Sequence, residues 1–426
     1  MIIYVVKSGD TLWDIASNFE VDVESIIEVN GIINPNHLVV GQALIIPVSS
    51  YTVKQGDSLY GISRKLGISF RQLVSYNNLD TDIPLQVGQV LLIPKPARVA
   101  IVSNAYVDAY ITTPPQLEEV IVGAAPSLTY LSPFSYTVNR DGTLNPPNLY
   151  NIRELARSKN VSLIMAISNV DESGFSGELG KIIMENNDVQ NRILTEAVKI
   201  AKEQGFKVVQ FDFEYLPPET RKMYNRFLLK ARDLFHRNGL LLSTALAPKV
   251  RDDQVGQWYE AHDYKAHGEI ADFVVLMTYE WGYTYGLPLP VSPIRPVRDV
   301  VEYALSVMPA NKILLGQNLY GYDWRAPYMV GGEPAVSLSP MEAVELAYSN
   351  NRSINFDDSA QAPYFYYKDQ DGREHTVWFE DARSIEEKFD LIREYGLKGI
   401  SYWRLGYDFP QNFFMLNNQF DIIKLR

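Results

Sequence analysis

The chain has 426 residues, a formal net charge of −12 and no cysteine. The acidic balance argues against nucleic-acid binding and gives no support for binding to anionic membranes, so an uncharged ligand suits the protein better. Without cysteine there are no disulfides, thiolate nucleophiles or Cys-type zinc sites, and the five histidines form no H-E-x-x-H pair. We therefore expect neither a metal nor a cofactor.

The N-terminal segment IIYVV, residues 2–6, is strand-like and leads directly into a turn at residues 7–10. It lacks the basic segment, long apolar segment and small-residue cleavage site of a secretory signal peptide. No stretch approaches the roughly 20 apolar residues of a membrane span. We therefore expect no signal peptide and no membrane insertion.

The first hundred residues contain an internal repeat. Residues 6–16, VKSGDTLWDIA, match residues 53–63, VKQGDSLYGIS, and the match continues to Pro47 and Pro94 at a constant offset of about 47 residues. Two copies are too few for a stacked solenoid, so the repeat predicts two small modules, module 1 (1–48) and module 2 (50–95). Each copy has a βααβ pattern, in which Asp10 or Asp57 is predicted to N-cap the first helix.

The repeated motif G-D-[TS]-L-[WY]-x-I, closed by V-G-Q-x-L-x-I-P, resembles the LysM domain over residues 2–47 and 51–94. The resemblance implies binding of N-acetylglucosamine-containing glycans such as peptidoglycan or chitin. The sugar would lie between the loop after the first strand and the loop before the last strand. The alternative is that the Gly-Asp turns serve only as turns and caps. The glycan-binding residues implied for the first of these loops are Gly9, Asp10, Thr11 and Leu12 in module 1 and Gly56, Asp57, Ser58 and Leu59 in module 2.

After a predicted linker at 94–96, apolar strands alternate with helical stretches. The clearest helix lies at 219–238, with Pro217 and Pro218 near its start and Gly239 after its end. Eight β/α units predict an α/β fold, a (β/α)8 TIM barrel over residues 98–426, with its site at the C-terminal ends of the strands. The candidate strands are 99–105, 128–134, 162–167, 208–214, 241–246, 273–279, 313–319 and 399–403.

The stretch before the last strand, from about residue 325 to 397, is too long for a single helix. It contains the apolar run YFYY at 364–367, a turn at 369–372 and HTVWF at 375–379, which together predict a β-hairpin. We expect a small α+β insertion domain that forms one side of the cleft.

The fourth predicted strand, VVQFDFEY at 208–215, has two acids in an apolar run. Because alternate side chains share a face, Gln210, Asp212 and Glu214 should point into the barrel while Phe211 and Phe213 pack outward. Acids buried in this way are costly unless they are paired. An ionised Asp212 should keep the proton on Glu214, as a general acid requires. The alternative is that both acids only anchor hydrogen bonds within the barrel.

The Asp-x-Glu pair resembles the strand-four signature D-G-x-D-x-D-x-E of family 18 glycoside hydrolases, the chitinase family. MTY at 277–279 and SYW at 401–403 resemble the family's M-x-Y and its strand-eight tryptophan. The resemblance implies that Glu214 protonates the glycosidic oxygen while the substrate's own 2-acetamido oxygen attacks C1, with retention of configuration. It also implies that Asp212 and Tyr279 orient the acetamido group and that Trp403 forms the floor of the site.

The sequence departs from the family pattern at four places, the first being Lys207-Val208 where the family has its leading Asp-Gly. Gln210 replaces an Asp and is expected to hydrogen-bond Asp212 without sharing a proton. The family's Ser-x-Gly-Gly on strand three is missing, and Asn169 is the candidate to fill part of its role. Glu280 follows Tyr279 where chitinases usually have Asp. These changes argue against chitin as the substrate rather than against the reaction class.

Besides Trp403, five residues are candidates for substrate contacts in the cleft: Gln210, Asn169, Trp281, Tyr106 and Asp323. Aromatic faces stack on sugar rings, although large barrels also bury tryptophan in their cores.

The whole layout resembles the spore-germination cortical fragment-lytic enzymes of endospore-forming bacteria, for example in EAHDYKAHGEI at 260–270 and GQNLYGYDW at 316–324. The resemblance implies an N-acetylglucosaminidase acting on spore cortex peptidoglycan fragments. It also implies a protein of the spore coat or cortex periphery, made in the mother cell. The sequence does not indicate the oligomeric state, and we expect a monomer. The alternatives are a chitinase or other endo-N-acetylglucosaminidase, a catalytically inactive lectin-like relative, and a structural coat protein anchored by its LysM modules.

Overall fold

A computed structural model of the protein describes residues 1–108 and 114–425. Each module is a two-stranded antiparallel sheet with two helices. An asparagine at the end of each second helix links that helix to the last strand. Asn30 accepts from the backbone N–H of Ile45, and Asn77 accepts from that of Leu92. The elements are Ile2–Val5, Leu12–Phe19, Val23–Asn30 and Ala43–Ile46 in module 1, and Ser50–Thr52, Leu59–Leu66, Phe70–Tyr76 and Val90–Leu92 in module 2.

The first helix of each module is capped one residue later than predicted. Thr11 accepts from the N–H of Asp14, and Ser58 accepts from that of Gly61. The carboxylate of Asp10 instead accepts from the backbone N–H of Lys7 and from the hydroxyl of Tyr4. Asp57 accepts from the equivalent groups in module 2. The prediction that these aspartates are N-caps was therefore wrong, because they close the preceding turn.

Eight parallel strands form the closed barrel that the sequence predicts. Each pairs with its neighbour in chain order, and β8 returns to pair with β1. They are β1 (Val99–Asp108), β2 (Tyr130–Phe134), β3 (Ser162–Ser168), β4 (Val208–Asp212), β5 (Leu241–Leu246), β6 (Phe273–Leu276), β7 (Ile313–Asn318) and β8 (Gly399–Leu405). β4 and β6 end earlier than predicted, so Glu214 and Tyr279 lie just beyond strand ends.

Helices surround the barrel and bury its outward side chains. The helix Arg221–Arg237 begins and ends close to the predicted bounds and packs its apolar face over β4, where Phe211 lies 4.9 Å from Phe227 between ring centroids. The other helices of this layer are Pro114–Ala124, Ile152–Ser158, Gly177–Glu185, Asn187–Gln204, Tyr264–Ile270, Ile294–Val307, Ala382–Tyr395 and Pro410–Gln419. Within the described ranges, no helix is both long and apolar enough to cross a membrane.

Between β7 and β8 the chain forms a five-stranded antiparallel sheet, here called the insertion sheet, with the helix Pro340–Ser349. Its strands in spatial order are Val336–Leu338, Gly321–Arg325, Glu374–Trp378, Ala362–Lys368 and Asn355–Asp357. The sheet starts directly after β7, at Gly321. Its aromatic side chains Tyr322 and Trp324 pack with Tyr279 from the end of β6, so the sheet stands beside the mouth of the barrel.

Candidate active site

Asp212 and Glu214 lie at the C-terminal end of β4, with only 5% and 8% of their surfaces exposed. Asp212 is the last residue of the strand, and the backbone turns at Tyr215, whose φ of 54° is in the left-handed region. The chain thus leaves the barrel directly after Glu214. Both carboxyl groups are consequently at the mouth of the barrel but are largely shielded from water.

Burial raises the pKa of both carboxyl groups, because a charged carboxylate loses hydration inside the protein. The pKa of Glu214 is raised well above its usual range, first by burial and then by the charge of Asp212. The side chain of Trp258 acts in the opposite direction, since its Nε1–H donates to Oε2 of Glu214 at 2.6 Å. The arrangement favours a protonated Glu214 at neutral pH, which is the form that can give a proton to a leaving group.

The expected hydrogen bond from Gln210 to Asp212 is absent. Oε1 of Gln210 accepts from the hydroxyl of Tyr106 at 2.5 Å, and Nε2 donates to Oγ of Ser243 at 3.0 Å. Among the described residues, Oδ1 of Asp212 is buried without a hydrogen-bond partner. Gln210 lies two residues before Asp212, further from the mouth of the barrel, and its side chain is bound by Tyr106 of β1 and Ser243 of β5. The unpaired Asp212 oxygen is therefore available to a group of the substrate.

Asn169 acts on the backbone of Glu214 rather than on the cleft. Its Oδ1 accepts from the N–H of Glu214 at 2.9 Å, and its Nδ2 donates to the carbonyl of Glu214 at 2.8 Å and to that of Ser176 at 2.9 Å. The side chain is fully buried, and these bonds use both its donor hydrogens. Asn169 is thus a positioning residue, and the prediction that it binds substrate is not supported by these contacts.

Tyr279 lies just beyond the end of β6, Trp403 in β8 and Tyr106 in β1, and the three converge on the same end of the barrel. Tyr279 and Trp403 belong to one aromatic cluster, in which Trp403 is half-buried. The ring of Trp403 lies 5.5 Å from Tyr106 and 4.8 Å from Phe134, in edge-to-face contacts that fix its orientation. A partly open indole held in this way presents a surface on which a sugar ring can stack.

Trp281 and Asp323 are not brought to this site. Trp281 packs against the main hydrophobic core between barrel and helices. Asp323 accepts from the hydroxyl of Tyr367 at 2.6 Å and pairs with Nδ1 of His375 at 2.8 Å. Strand alternation sends Asp323 to the face of the insertion sheet opposite to that of Tyr322, which faces the cleft.

Two features of the site were not anticipated from the sequence. One is the contact from Trp258 to Glu214, which no motif indicated. The other is the environment of Glu280, whose carboxylate accepts from the hydroxyls of Tyr320 and Tyr322. Burial raises the pKa of Glu280 to about 6, and its charge in turn raises the pKa of Glu214. The sequence showed only that position 280 is Glu where chitinases usually have Asp.

The predicted glycan-binding loops of the modules are exposed turns. Gly9 and Gly56 both have φ of 88°, and a Cβ at either would meet no atom within 4 Å. Thr11 and Ser58 are exposed, although they also cap helices. Asp10 and Asp57 are engaged within their own turns, as described above. Leu12 is fully buried and Leu59 half-buried, so these leucines pack in the cores of the modules rather than at the exposed surface of the loops.

Comparison with known proteins identifies the domains. Residues 105–408 match the model of glycosyl hydrolases family 18, and residues 4–47 and 51–94 match the LysM domain. The chain is 58% identical to the cortical fragment-lytic enzyme of Bacillus subtilis (strain 168), covering 100% of this chain and 99% of that protein. It is 46% identical to the cortical fragment-lytic enzyme of Bacillus anthracis, covering 99% of each.

A solved structure agrees along the whole chain. The crystal structure of the Bacillus megaterium QM B1551 spore cortex-lytic enzyme SleL matches with a TM-score of 0.89 at 48% identity, covering 100% of this chain and 99% of that one. The resemblances seen in the sequence are thereby confirmed. The chain belongs to family 18 of the glycosyl hydrolases, is a glycosidase, and carries two N-terminal LysM domains.

Proposed function

We propose that the protein is an N-acetylglucosaminidase that cleaves β-1,4 bonds after N-acetylglucosamine in spore cortex peptidoglycan fragments during germination. The observation that carries this proposal is the buried pair of Asp212 and Glu214 at the end of β4. It occurs in a chain that aligns over its full length with cortical fragment-lytic enzymes. The LysM domains add affinity for the same class of glycan.

In the proposed mechanism, Glu214 protonates the oxygen of the scissile glycosidic bond. The 2-acetamido oxygen of the substrate attacks C1, and water then opens the resulting ring with Glu214 acting as base. Asp212 orients and stabilises the acetamido group through its unpaired oxygen, and Tyr279 donates a hydrogen bond to it. Trp403 stacks under the sugar. Two displacements at C1 give retention of the anomeric configuration.

The domain organisation supports this assignment of tasks. We take residues 1–48 and 50–95 as the LysM domains and 98–426 as the catalytic domain. The insertion was expected at about 325–397, and we place it at the insertion sheet and its helix, residues 321–378, as one wall of the cleft. Tyr322 of the insertion sheet and Tyr320, which directly precedes the sheet, donate to Glu280 at a pocket of about 340 Å³ that Trp403 also lines. We further propose that the protein acts as a monomer at the spore coat or cortex periphery.

The proposal is tested by identifying the new reducing ends released from cortex fragments and from chitotetraose by mass spectrometry. We expect N-acetylglucosamine reducing ends from cortex fragments, and no release by the Glu214→Gln variant. Glu269→Gln changes an exposed acid on the helix Tyr264–Ile270 and is the matched control. Muramic-type reducing ends, or equal activity of Glu214→Gln, would contradict the proposal. Cleavage of chitotetraose in preference to cortex fragments would indicate a chitinase.

A further inference from the structure

The two LysM domains share one fold but have different surroundings. Val39 of module 1 is 4% exposed and lies in a hydrophobic cluster with Ile354 and Phe365 of the insertion. The equivalent residue of module 2 is Gln86, which is exposed. An apolar side chain is therefore present at this position only in the module that is covered there.

The last strands show the same difference. Ala43 and Ile45 of module 1 are 3% and 0% exposed, and Ile45 belongs to the core that includes the barrel helices. Their equivalents in module 2, Val90 and Leu92, are 58% and 52% exposed. Gln411 of the catalytic domain donates to the carbonyl of Ala43 at 2.8 Å, which fixes this strand further. Module 1 is thus packed into the catalytic body along its last strand.

The loop before that strand is also bound in module 1. The N–H of Ile354 donates to the carbonyl of Val40 at 2.9 Å, and Nη2 of Arg383 donates to that of Gly41 at 3.1 Å. His37 and Glu345 form an ion pair at 3.1 Å when the histidine is protonated. The LysM resemblance places the sugar between this loop and the loop after the first strand. A glycan at module 1 must therefore compete with the contacts that this loop makes with the catalytic domain.

The same loop of module 2, residues 78–89, is largely exposed. Ile83 and Val87 are 63% and 70% exposed, and the residue of module 1 equivalent to Val87, Val40, is 42% exposed. A Cβ on Gly88 would meet no atom within 4 Å, whereas a Cβ on the equivalent Gly41 would lie 1.9 Å from a backbone oxygen. Apolar groups that are exposed here gain favourable burial when a sugar covers them.

Module 2 is fixed in position through module 1. Nζ of Lys54 pairs with Glu20 at 3.0 Å, and Nζ of Lys65 donates to the carbonyl of Asn18 at 3.3 Å. Buried residues of the two modules also form one hydrophobic cluster, which contains Ile46 and Tyr51. The distal module is therefore placed at a defined distance from the cleft.

We propose that the two LysM domains divide their tasks. Module 1 is a permanent structural part of the catalytic body, and module 2 receives the glycan strand between residues 56–59 and 78–89. The inference rests on the proposed function, because the occupant is the same N-acetylglucosamine-containing glycan. Binding at module 2 displaces only water from the loop, and the rigid connection through module 1 sets which bond of the strand reaches the cleft.

A matched pair of variants, Val87→Asp and Val40→Asp, tests this division. Both place a charge on an exposed side chain at the same position of the loop, 70% exposed in module 2 and 42% in module 1. Binding to insoluble peptidoglycan is measured by sedimentation, and the melting temperature checks folding. We expect Val87→Asp to weaken binding by about tenfold or more, because a charge must be desolvated under the sugar, and Val40→Asp to stay within about twofold of the parent.

The proposal is overturned if Val40→Asp weakens binding as much as Val87→Asp, or if Val87→Asp binds like the parent. A parent protein that does not sediment with peptidoglycan would instead overturn the role of the LysM domains in the proposed function, and this inference with it. Muramic-type reducing ends in the hydrolysis assay would contradict the proposed reaction while leaving the binding comparison intact. The two assays therefore separate the two failures.

Discussion

Replacing Trp258 with phenylalanine removes one hydrogen bond from the catalytic acid while keeping an aromatic ring beside Tyr215, whose ring stacks on that of Trp258 at 6.3 Å. The Nε1–H of Trp258 donates to Oε2 of Glu214 at 2.6 Å, in a site where Glu214 is only 8% exposed. A hydrogen bond to a charged acceptor is worth about 1.5–3 kcal/mol and one to a neutral acceptor about 0.5–1.5 kcal/mol. The bond thus favours the ionised acid by roughly 1–1.5 kcal/mol.

One pKa unit corresponds to about 1.4 kcal/mol, so Trp258→Phe should raise the pKa of Glu214 by about one unit. We expect the alkaline limb of the kcat/KM profile to move up by that amount, and kcat to fall by about tenfold because a weaker, less oriented acid transfers its proton more slowly. The assay is hydrolysis of a chromogenic N-acetylglucosamine oligosaccharide from pH 4 to 10. Tyr259→Phe, which changes the adjacent ring, should keep the parent's profile. An alkaline limb that stays in place or moves down in Trp258→Phe would refute the reasoning.

Three other substitutions have defined outcomes. Asn169→Ala should lower kcat with little change in KM, since it releases the backbone of Glu214 and destabilises the fold by about 1–3 kcal/mol, measured by urea unfolding. Glu280→Gln should move the alkaline limb down, because it removes a charge that raises the pKa of Glu214. Above pH 7 the Glu280→Gln variant should also be more stable than the parent by up to about 2 kcal/mol, because the folded parent must ionise a buried carboxyl group whose pKa is raised to about 6. Below pH 4 that carboxyl group is protonated, so the variant should be no more stable than the parent. Equal stability of variant and parent at both pH values would contradict this. Gly41→Ala should cost about 1–3 kcal/mol more than Gly88→Ala, because the two share a φ near 87° and only Gly41 meets a backbone oxygen.

The barrel and the position of its acids were predictable because they depend on short-range patterns. The strand VVQFDFEY alternates with period two, and that alternation correctly sends Phe211 outward and Asp212 inward. Strand ends were less well predicted, since β4 stops at Asp212 and the chain turns at Tyr215. That turn depends on packing around the mouth of the barrel, which the local sequence does not encode.

The hydrogen-bond partners in the site depend on contacts between distant parts of the chain. Gln210 is bound by Tyr106, 104 residues earlier, and Glu214 by Trp258, 44 residues later. Neither pairing has a local pattern. The wrong prediction for Asp323 has a different cause. Strand alternation shows that its side chain and those of Tyr322 and Trp324 lie on opposite faces of the insertion sheet, but it does not show which face is turned to the cleft.

The two modules differ in sequence at a position whose importance only the structure shows. Val39 and Gln86 occupy the same position of the repeat, and the exchange of an apolar for a polar side chain looks like ordinary drift. Only the packing of Val39 against the insertion shows that the difference marks a covered and an exposed surface.

The central claim is that Glu214 gives the proton while the acetamido group of the substrate acts as nucleophile. The most direct test is proton NMR of the first product within seconds to minutes of cleavage, before its anomers equilibrate. The account predicts that the new reducing end appears first as the β-anomer, because two displacements at C1 retain the configuration of the β-1,4 bond. Initial release of the α-anomer would show a single displacement by water and would contradict the mechanism.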